Sequence, residues 1–392
     1  MIAGGPGQAA VATAPVVLPA LRDLDAHRDI VFVDQRGTGA SNPLICEASF
    51  DAIMGPEGTA AVAECHRSLS ARADLSAYGS DQAVTDLEAV RAALSYQRVN
   101  LVAASYGVRV ATLYMRRHPE RVRSAILRAA YPSNFNIVGN GLPAADAELG
   151  RVVDECGASA ECHSAYPNLE AELNQVFASL EQAPQNVTRA DGSSLQVTPA
   201  LFQQALYALM LSAQTRQSLP LMIHTAATRG FQPIATPLGQ IRDALYGTLP
   251  VGMYLSILCS EDVPRLAPGD LQRPRTPLGR MGAQLIETCR SWAVPAADPN
   301  LFQLSELTTP TLVVSGLLDP ATTASAGRAL MRQLRTAVHV ELPATAHGPM
   351  LPACLREDAR RFLANPGPIA NAGQACATAT LPAFAVMPTR RP

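Results

Sequence analysis

Short apolar runs alternate with helical periodicity through the first third of the chain. Residues 29–34 (DIVFVD) form an apolar run ending in DQRGTG, the pattern of a buried strand entering a glycine-rich turn. From Ser80, Val84, Leu87, Val90 and Leu94 recur at helical spacing; Ser80 or Asp81 can cap this helix, and Asp81 and Asp86 favour its N-terminal half. Residues 99–103 (VNLVA) read as a second buried strand, 106–118 as a helix closed by Pro119, and 123–130 (RSAILRAA) as a third strand. Strand, helix, strand, helix, strand is the order of a parallel sheet with helices on both faces, an α/β fold.

The order breaks after Tyr131-Pro132. Residues 133–292 are mainly helical in pattern, with Leu-, Met- and Ala-rich stretches at 201–210 and 219–227, and 185–194 reads as a loop. This is a helical cap inserted between two parts of the core, 1–132 and 293–392. The alternation resumes with a strand at 311–315 (TLVVS), a helix at 324–334, a strand at 338–342 and a helix at 353–363. The tail after Asn365 is rich in Pro, Ala and Gly, and no element is predicted there.

Composition removes several chemistries. The 31 basic residues are all arginine and balance 33 acidic ones to a net charge of −2. Without lysine there is no P-loop, no pyridoxal-phosphate Schiff base and no Ser-x-x-Lys hydrolase. The charge balance does not point to nucleic acid or an anionic membrane. The longest apolar candidate, 9–21, is interrupted by Pro15 and Pro19, so no membrane span is predicted, and no basic, apolar, small-residue leader is read at Met1. Eight cysteines (Cys46, Cys65, Cys156, Cys162, Cys259, Cys289, Cys354 and Cys376) fall into four neighbouring pairs, none with C-x-x-C spacing. Neighbour pairing is the simplest arrangement and implies an oxidising compartment; eight buried thiols in a cytosolic protein is the alternative.

Four features suggest chemistry. Ala103-Ala104-Ser105-Tyr106-Gly107 lies where a strand turns directly into a helix, the setting of a G-x-S-x-G nucleophile elbow with Ala103 in the first glycine's place. Such a turn exposes the serine oxygen and aims the Tyr106 N–H at a developing oxyanion. Gly4-Gly5-Pro6-Gly7 is a loop able to bring backbone N–H groups close to a substrate. Asp319 and His347 each follow a predicted strand, at the carboxyl ends where open α/β sheets place ligands, and the chain order Ser, Asp, His suits this fold. Of seven histidines only His347 meets these conditions. Taken singly, each feature has a bland use, such as a helix-capping serine, an ordinary turn or a structural histidine.

The runs GGPGQ, DIVFVDQRGTGASNPLIC and NLVAASYGVRVATLYMRRHPERVRSAIL, with TPTLVVSGLLDPATT and LPATAHGPM near the carboxyl end, resemble the proline iminopeptidase and tripeptidyl aminopeptidase group of α/β-hydrolases. The resemblance covers roughly 1–132 and 295–376. It implies a triad of Ser105, Asp319 and His347 and an oxyanion hole at Gly5 and Tyr106. The departures are Ala3 where the group carries His, and Ala103 where it carries Gly. The group's exopeptidases hold the substrate's α-ammonium with cap carboxylates. Glu261 and Asp262, after an apolar helix at 253–258, are the best match; a solvated acidic loop or a salt bridge to an arginine such as Arg265 competes. The group's secreted members carry similarly placed cysteines, which favours disulfides and a secreted or periplasmic setting. They also have two strands before the glycine loop, so the resemblance implies that those strands and most of a third are missing here.

The expected function is a serine hydrolase cleaving short units from peptide N-termini, acting on small peptides with no metal or organic cofactor. A carboxylesterase acting on small esters and a non-catalytic binding protein on a hydrolase scaffold are the competitors.

Overall fold

The computed structural model describes residues 1–21, 28–47, 53, 58–246, 249–271, 274–348 and 351–387. Pro349 and Met350, part of the LPATAHGPM run, and the last five residues of the tail lie outside them. The strands are Val99–Ala104 (β1), Val122–Arg128 (β2), Gln185–Thr188 (β3), Ser194–Val197 (β4), Thr311–Gly316 (β5) and Ala337–Leu342 (β6). β1, β2, β5 and β6 form one parallel sheet in that order, with Leu101 opposite Ala125, Ala125 opposite Thr311 and Val313 opposite His339.

Side chains alternate across the pleat and so sort into two cores. Leu101, Ala103, Ala125, Leu127 and Val313 enter the cluster that contains Val108, Ala111 and Met115 of the Tyr106–Arg117 helix. Ile126, Leu312, Val314, Val340 and Leu342 face the other way, onto Leu355, Ala359, Phe362 and Leu363 of the carboxyl-terminal helix region and Leu21 of the Ala10–Leu21 helix. Every residue of β5 is buried, which is why it reads as an unbroken apolar run.

The expected strand at 29–34 does not form. These residues join no sheet ladder; Val31 accepts one hydrogen bond, from the Met1 ammonium at 2.8 Å. An apolar run has the composition of a strand, but a strand also needs a hydrogen-bonded neighbour. Beside β1 the chain's first residues make a single parallel bridge, Ile2 to Ala103, with the Ile2 N–H donating to the Val102 carbonyl at 2.9 Å.

Between β2 and β5 lie the helices Leu142–Ala158, Leu169–Gln182, Pro199–Met210 and Leu219–Arg229, which enclose a separate core of Leu149, Val152, Leu173, Phe177, Phe202, Leu206 and Ile223. The 185–194 stretch, expected as a loop, instead opens a hairpin: β3 and β4 pair antiparallel, turning Val187, Leu195 and Val197 inward, with Gly192 at φ 82° in the turn. The tail also docks. Phe384, Val386 and Met387 pack on the cap core, and the Tyr166 hydroxyl donates to the Ala385 carbonyl at 3.0 Å while accepting from the Met387 N–H at 3.1 Å. Disulfides join Cys46 to Cys65, Cys156 to Cys162, Cys259 to Cys289 and Cys354 to Cys376. No described helix is long and apolar enough to cross a membrane.

One buried charge cluster joins cap to core. Arg109, on the Tyr106–Arg117 helix, donates through both terminal nitrogens to Asp262 at 2.8 Å each and through one of them to Glu261 at 2.9 Å. Asp262 also accepts from the Ile137 N–H at 2.7 Å, and Arg265 donates to the Phe135 carbonyl at 3.2 Å, so the segments entering and leaving the cap meet here. Glu261 accepts from the Ser80 N–H at 2.5 Å and the Ser80 hydroxyl at 2.7 Å; that hydroxyl also pairs with the Tyr106 hydroxyl at 2.9 Å. Burial alone would lower the Arg109 pKa, but Asp262 and Glu261 outweigh it and hold the guanidinium charged. Replacing Arg109 with Leu leaves buried Glu261 with no cation and Asp262 with Arg265 at 3.3 Å alone, and is expected to cost about 3–5 kcal/mol, read as a lower urea midpoint. Arg109→Lys keeps the charge but loses the two-pronged contact, and should fall between wild type and Arg109→Leu.

Candidate active site

At the end of β1 the chain reverses within one residue. Ser105 has φ 54° and ψ −129°, a conformation few non-glycine residues adopt. It is held there because its N–H donates to the Arg128 carbonyl at the end of β2 (3.1 Å) and its own carbonyl accepts from the Val108 N–H (2.8 Å). The glycines around it are required by close approach. A Cβ on Gly107 would lie 2.7 Å from the carbonyl oxygens of both Ile2 and Ala3, and one on Gly4 would lie 3.0 Å from the Ser105 Cβ. Residues 2–4 therefore press directly on the elbow. Ala103 is fully buried beneath Ile2, and its methyl fits where the motif usually carries glycine.

Two backbone amides beside the elbow have no hydrogen-bond acceptor among the described residues. Tyr106 opens its helix, so its N–H has no intrahelical acceptor. The Gly5 N–H has no acceptor among the described residues, and Gly5 adopts φ +109°, which favours glycine.

Asp319 and His347 come together from the loops after β5 and β6. The His347 Nδ1 lies 2.9 and 3.0 Å from the two carboxylate oxygens of Asp319. Asp319 also accepts from the Ala321 and Thr322 N–H groups at 2.9 and 2.8 Å and from the Thr322 hydroxyl at 2.9 Å. The fully buried Arg128 stands behind it, with one nitrogen 3.9 Å from Asp319 and another donating to the Ala346 carbonyl. Burial would raise the Asp319 pKa, but attraction and hydrogen bonding to His347, then Arg128 and the Thr322 amide, bring it below the ordinary value. The carboxylate is thus held ionised and fixes Nδ1 as the imidazole's donor. Nε2 makes no hydrogen bond to Asp319, and the side chain is 19% exposed. The hydrogen bonds of His347 run to Asp319 and Thr322, and none joins it to Ser105.

Glu261 and Asp262 stand elsewhere. Both are fully buried and their oxygens face Arg109, Ser80, Ile137 and Arg265, so neither offers a carboxylate to solvent. Of the alternatives read from the sequence, the arginine salt bridge is the one these contacts match, with Arg109 as principal partner.

Sequence reasoning missed Arg109, Arg128, Thr322 and Tyr207. Arg128, a charge closing the buried run SAIL, carried a usable signal, because a lone charge in a buried strand needs a partner. Tyr207, on the Pro199–Met210 helix, packs against the cap core; burial raises its phenol pKa and the Asp319 charge raises it further, so it stays neutral. The backbone joins the same two layers, with the Gly348 N–H donating to the Leu211 carbonyl at 3.2 Å.

Residues 1–208 match the α/β-hydrolase fold family and residues 277–376 match the TAP-like protein family. The chain is 26% identical over 375 aligned residues to proteins named serine protease Hip1 from Mycobacterium tuberculosis and Mycobacterium bovis, covering 85% of this chain and 71% of theirs. Among solved structures, a meta-cleavage product hydrolase from Pseudomonas fluorescens is similar at 14% identity and a TM-score of 0.41, covering 92% of this chain and 87% of that one. The chain belongs to the α/β-hydrolase family and is a serine hydrolase of that fold.

Proposed function

We propose that this hydrolase removes short units from the amino ends of peptides, through an acyl-enzyme on Ser105. The observation that carries the reading is the strained Ser105 elbow beside two amides without acceptors, at the carboxyl end of the parallel sheet, the end that also bears the Asp319–His347 pair. The TAP-like match and the similarity to proteins named serine proteases favour a peptide over a simple ester as substrate.

In this mechanism the Ser105 oxygen attacks the scissile carbonyl while the His347 Nε2 takes its proton. The carbonyl oxygen becomes an oxyanion and accepts from the Gly5 and Tyr106 N–H groups. His347 then returns the proton to the leaving amine, which departs with its C–N bond broken. Water, deprotonated by the same imidazole, cleaves the acyl-enzyme and frees Ser105. Asp319 keeps the imidazole in one tautomer and stabilises its charge in both halves. Arg128 and Thr322 act through Asp319, as positioning residues. A free amino terminus would be recognised by groups other than Glu261 and Asp262, which are spent on Arg109. Four disulfides fit an oxidising setting, secreted or periplasmic.

Ser105→Ala should abolish labelling by a fluorophosphonate probe and lower kcat by about 10⁴-fold or more. Asp319→Asn should lower kcat by about 10⁴-fold, with the fold intact by circular dichroism. A panel of aminoacyl-anilides, tripeptidyl-anilides and p-nitrophenyl esters decides the substrate class: anilide turnover is expected, and a protein that hydrolyses the esters alone is an esterase.

A further inference from the structure

Chain ends are poorly ordered unless something ties them down. Here the tail is tied at two points that belong to different layers. Its start is fixed to the catalytic layer, where Cys376 joins Cys354 in the core that holds Leu355 and Phe362. Residues 377–383 then run exposed. Beyond them the chain lies on the cap, with Phe384, Val386 and Met387 against its core. The Ala385 N–H donates to the Gln217 carbonyl at 2.9 Å. The hydroxyl of Tyr166, a residue 1% exposed, bridges the Ala385 carbonyl and the Met387 N–H at 3.0 and 3.1 Å.

Gln217 ends the segment through which the cap touches the catalytic loops. The Leu211 carbonyl accepts from the Gly348 N–H at 3.2 Å. Ala213 packs with Leu318 and Ala346 in a small apolar cluster of its own. Leu318 directly precedes Asp319, and Ala346 directly precedes His347. The short helix Ala213–Arg216 follows, and its C-cap is Gln217, the residue the tail holds. Residues 211–217 therefore bear on the triad loops at one end and on the tail at the other. Their seat on the loops shows one backbone hydrogen bond and one three-residue apolar cluster, the kind of contact that opens locally unless a second tie holds it. The tail is such a tie. Its docking is intramolecular, so a modest contact keeps it seated. The contact is also reversible in character: a cleft of about 230 Å³, lined by Cys162, Gln217, Leu381 and Phe384 among others, stays between tail and cap, and such a gap forgoes dispersion contacts.

We infer that the carboxyl-terminal tail is a releasable strap. Docked on Tyr166 and Gln217, it holds residues 211–217 down on the loops of Asp319 and His347 and so keeps the triad in register. Undocked, it lets that part of the cap lift, and the exposed stretch 377–383 is where a protease cut would release it. The catalytic consequence rests on the Ser105 reading above; the coupling of the tail to residues 211–217 does not.

The test compares full-length wild type, the double variant Phe384→Asp/Ala385→Pro and the single variant Tyr166→Phe, by hydrogen-exchange mass spectrometry and by the rate of fluorophosphonate labelling. The double variant removes the anchoring ring and the N–H given to Gln217 while leaving cap and catalytic layer unaltered in sequence. Tyr166→Phe keeps the buried ring and removes only its two bonds to the tail. The expected result in the double variant is exchange about tenfold or more faster in peptides covering 211–218 and 345–348, unchanged protection of β1 and β2, and labelling about fivefold or more slower, with smaller changes in the same direction in Tyr166→Phe. Exchange within twofold of wild type at 211–218 in the double variant overturns the strap. Faster exchange there with labelling within twofold of wild type overturns its hold on the triad. If the double variant loses protection in β1 and β2 as well, Tyr166→Phe decides by the same criteria. Wild-type protein that does not label overturns the Ser105 reading, and the exchange data still decide the strap.

Discussion

The molecule turns on the burial of two adjacent carboxylates against the Arg109 guanidinium. Glu261 and Asp262 have no exposure; Arg109 pairs with both, and Arg265 stands 3.3 Å from Asp262. Such a cluster contributes little net stability over apolar packing, but losing one member leaves an uncompensated charge in a medium that cannot solvate it. Its geometry is therefore tightly constrained, which suits its place. Arg109 lies one turn into the helix that starts at the nucleophile elbow, and its partners lie where the cap leaves the core. Through Ser80 the same cluster reaches the Tyr106 ring, one residue from Ser105. Cap position and elbow position are thus parts of one hydrogen-bonded unit.

The catalytic face is built differently, by close backbone approach. Gly107 lets the elbow helix touch residues 2 and 3, and Gly316 lets β5 end against the loop before His347, where a Cβ would lie 2.3 Å from the Thr345 carbonyl oxygen. The Leu318 N–H also donates to that carbonyl, at 3.1 Å. The loops bearing Asp319 and His347 are consequently held to each other by backbone contacts as well as by the ion pair. Small side chains set distances here, while charges set orientation.

Much of this was legible in the sequence because it follows from local pattern. β1, β2, β5 and β6 are short apolar runs, and Ser105, Asp319 and His347 sit just past such runs, where the residue type stands out against its surroundings. The misreadings share a cause: they needed a partner distant in sequence. Residues 29–34 have a strand's composition and, among the described residues, no strand pairs with them. β3 and β4 are four residues each with exposed polar faces, a signal too weak without the cap core that receives Val187 and Leu195. The Arg109–Glu261 pair went unread because its two members lie 152 residues apart. Arg109 and Arg128 were passed over because a pattern of apolar and polar positions assigns charge to the surface, and only the tertiary structure supplies what lets an arginine stay inside.

The disulfides close loops of 19, 6, 30 and 22 residues, each within its own neighbourhood of the chain. Arg109 and its two carboxylates, by contrast, span the seam between cap and catalytic layer without a covalent bond. Mobile ions screen charges they can approach, over about 8 Å at physiological ionic strength, and a pair sealed from solvent is largely beyond them. The seating of the cap is in that sense indifferent to the salinity outside. The exposed arginine pairs, such as Arg67 with Glu64 and Arg290 with Glu287, have no such shelter and loosen or tighten with the medium.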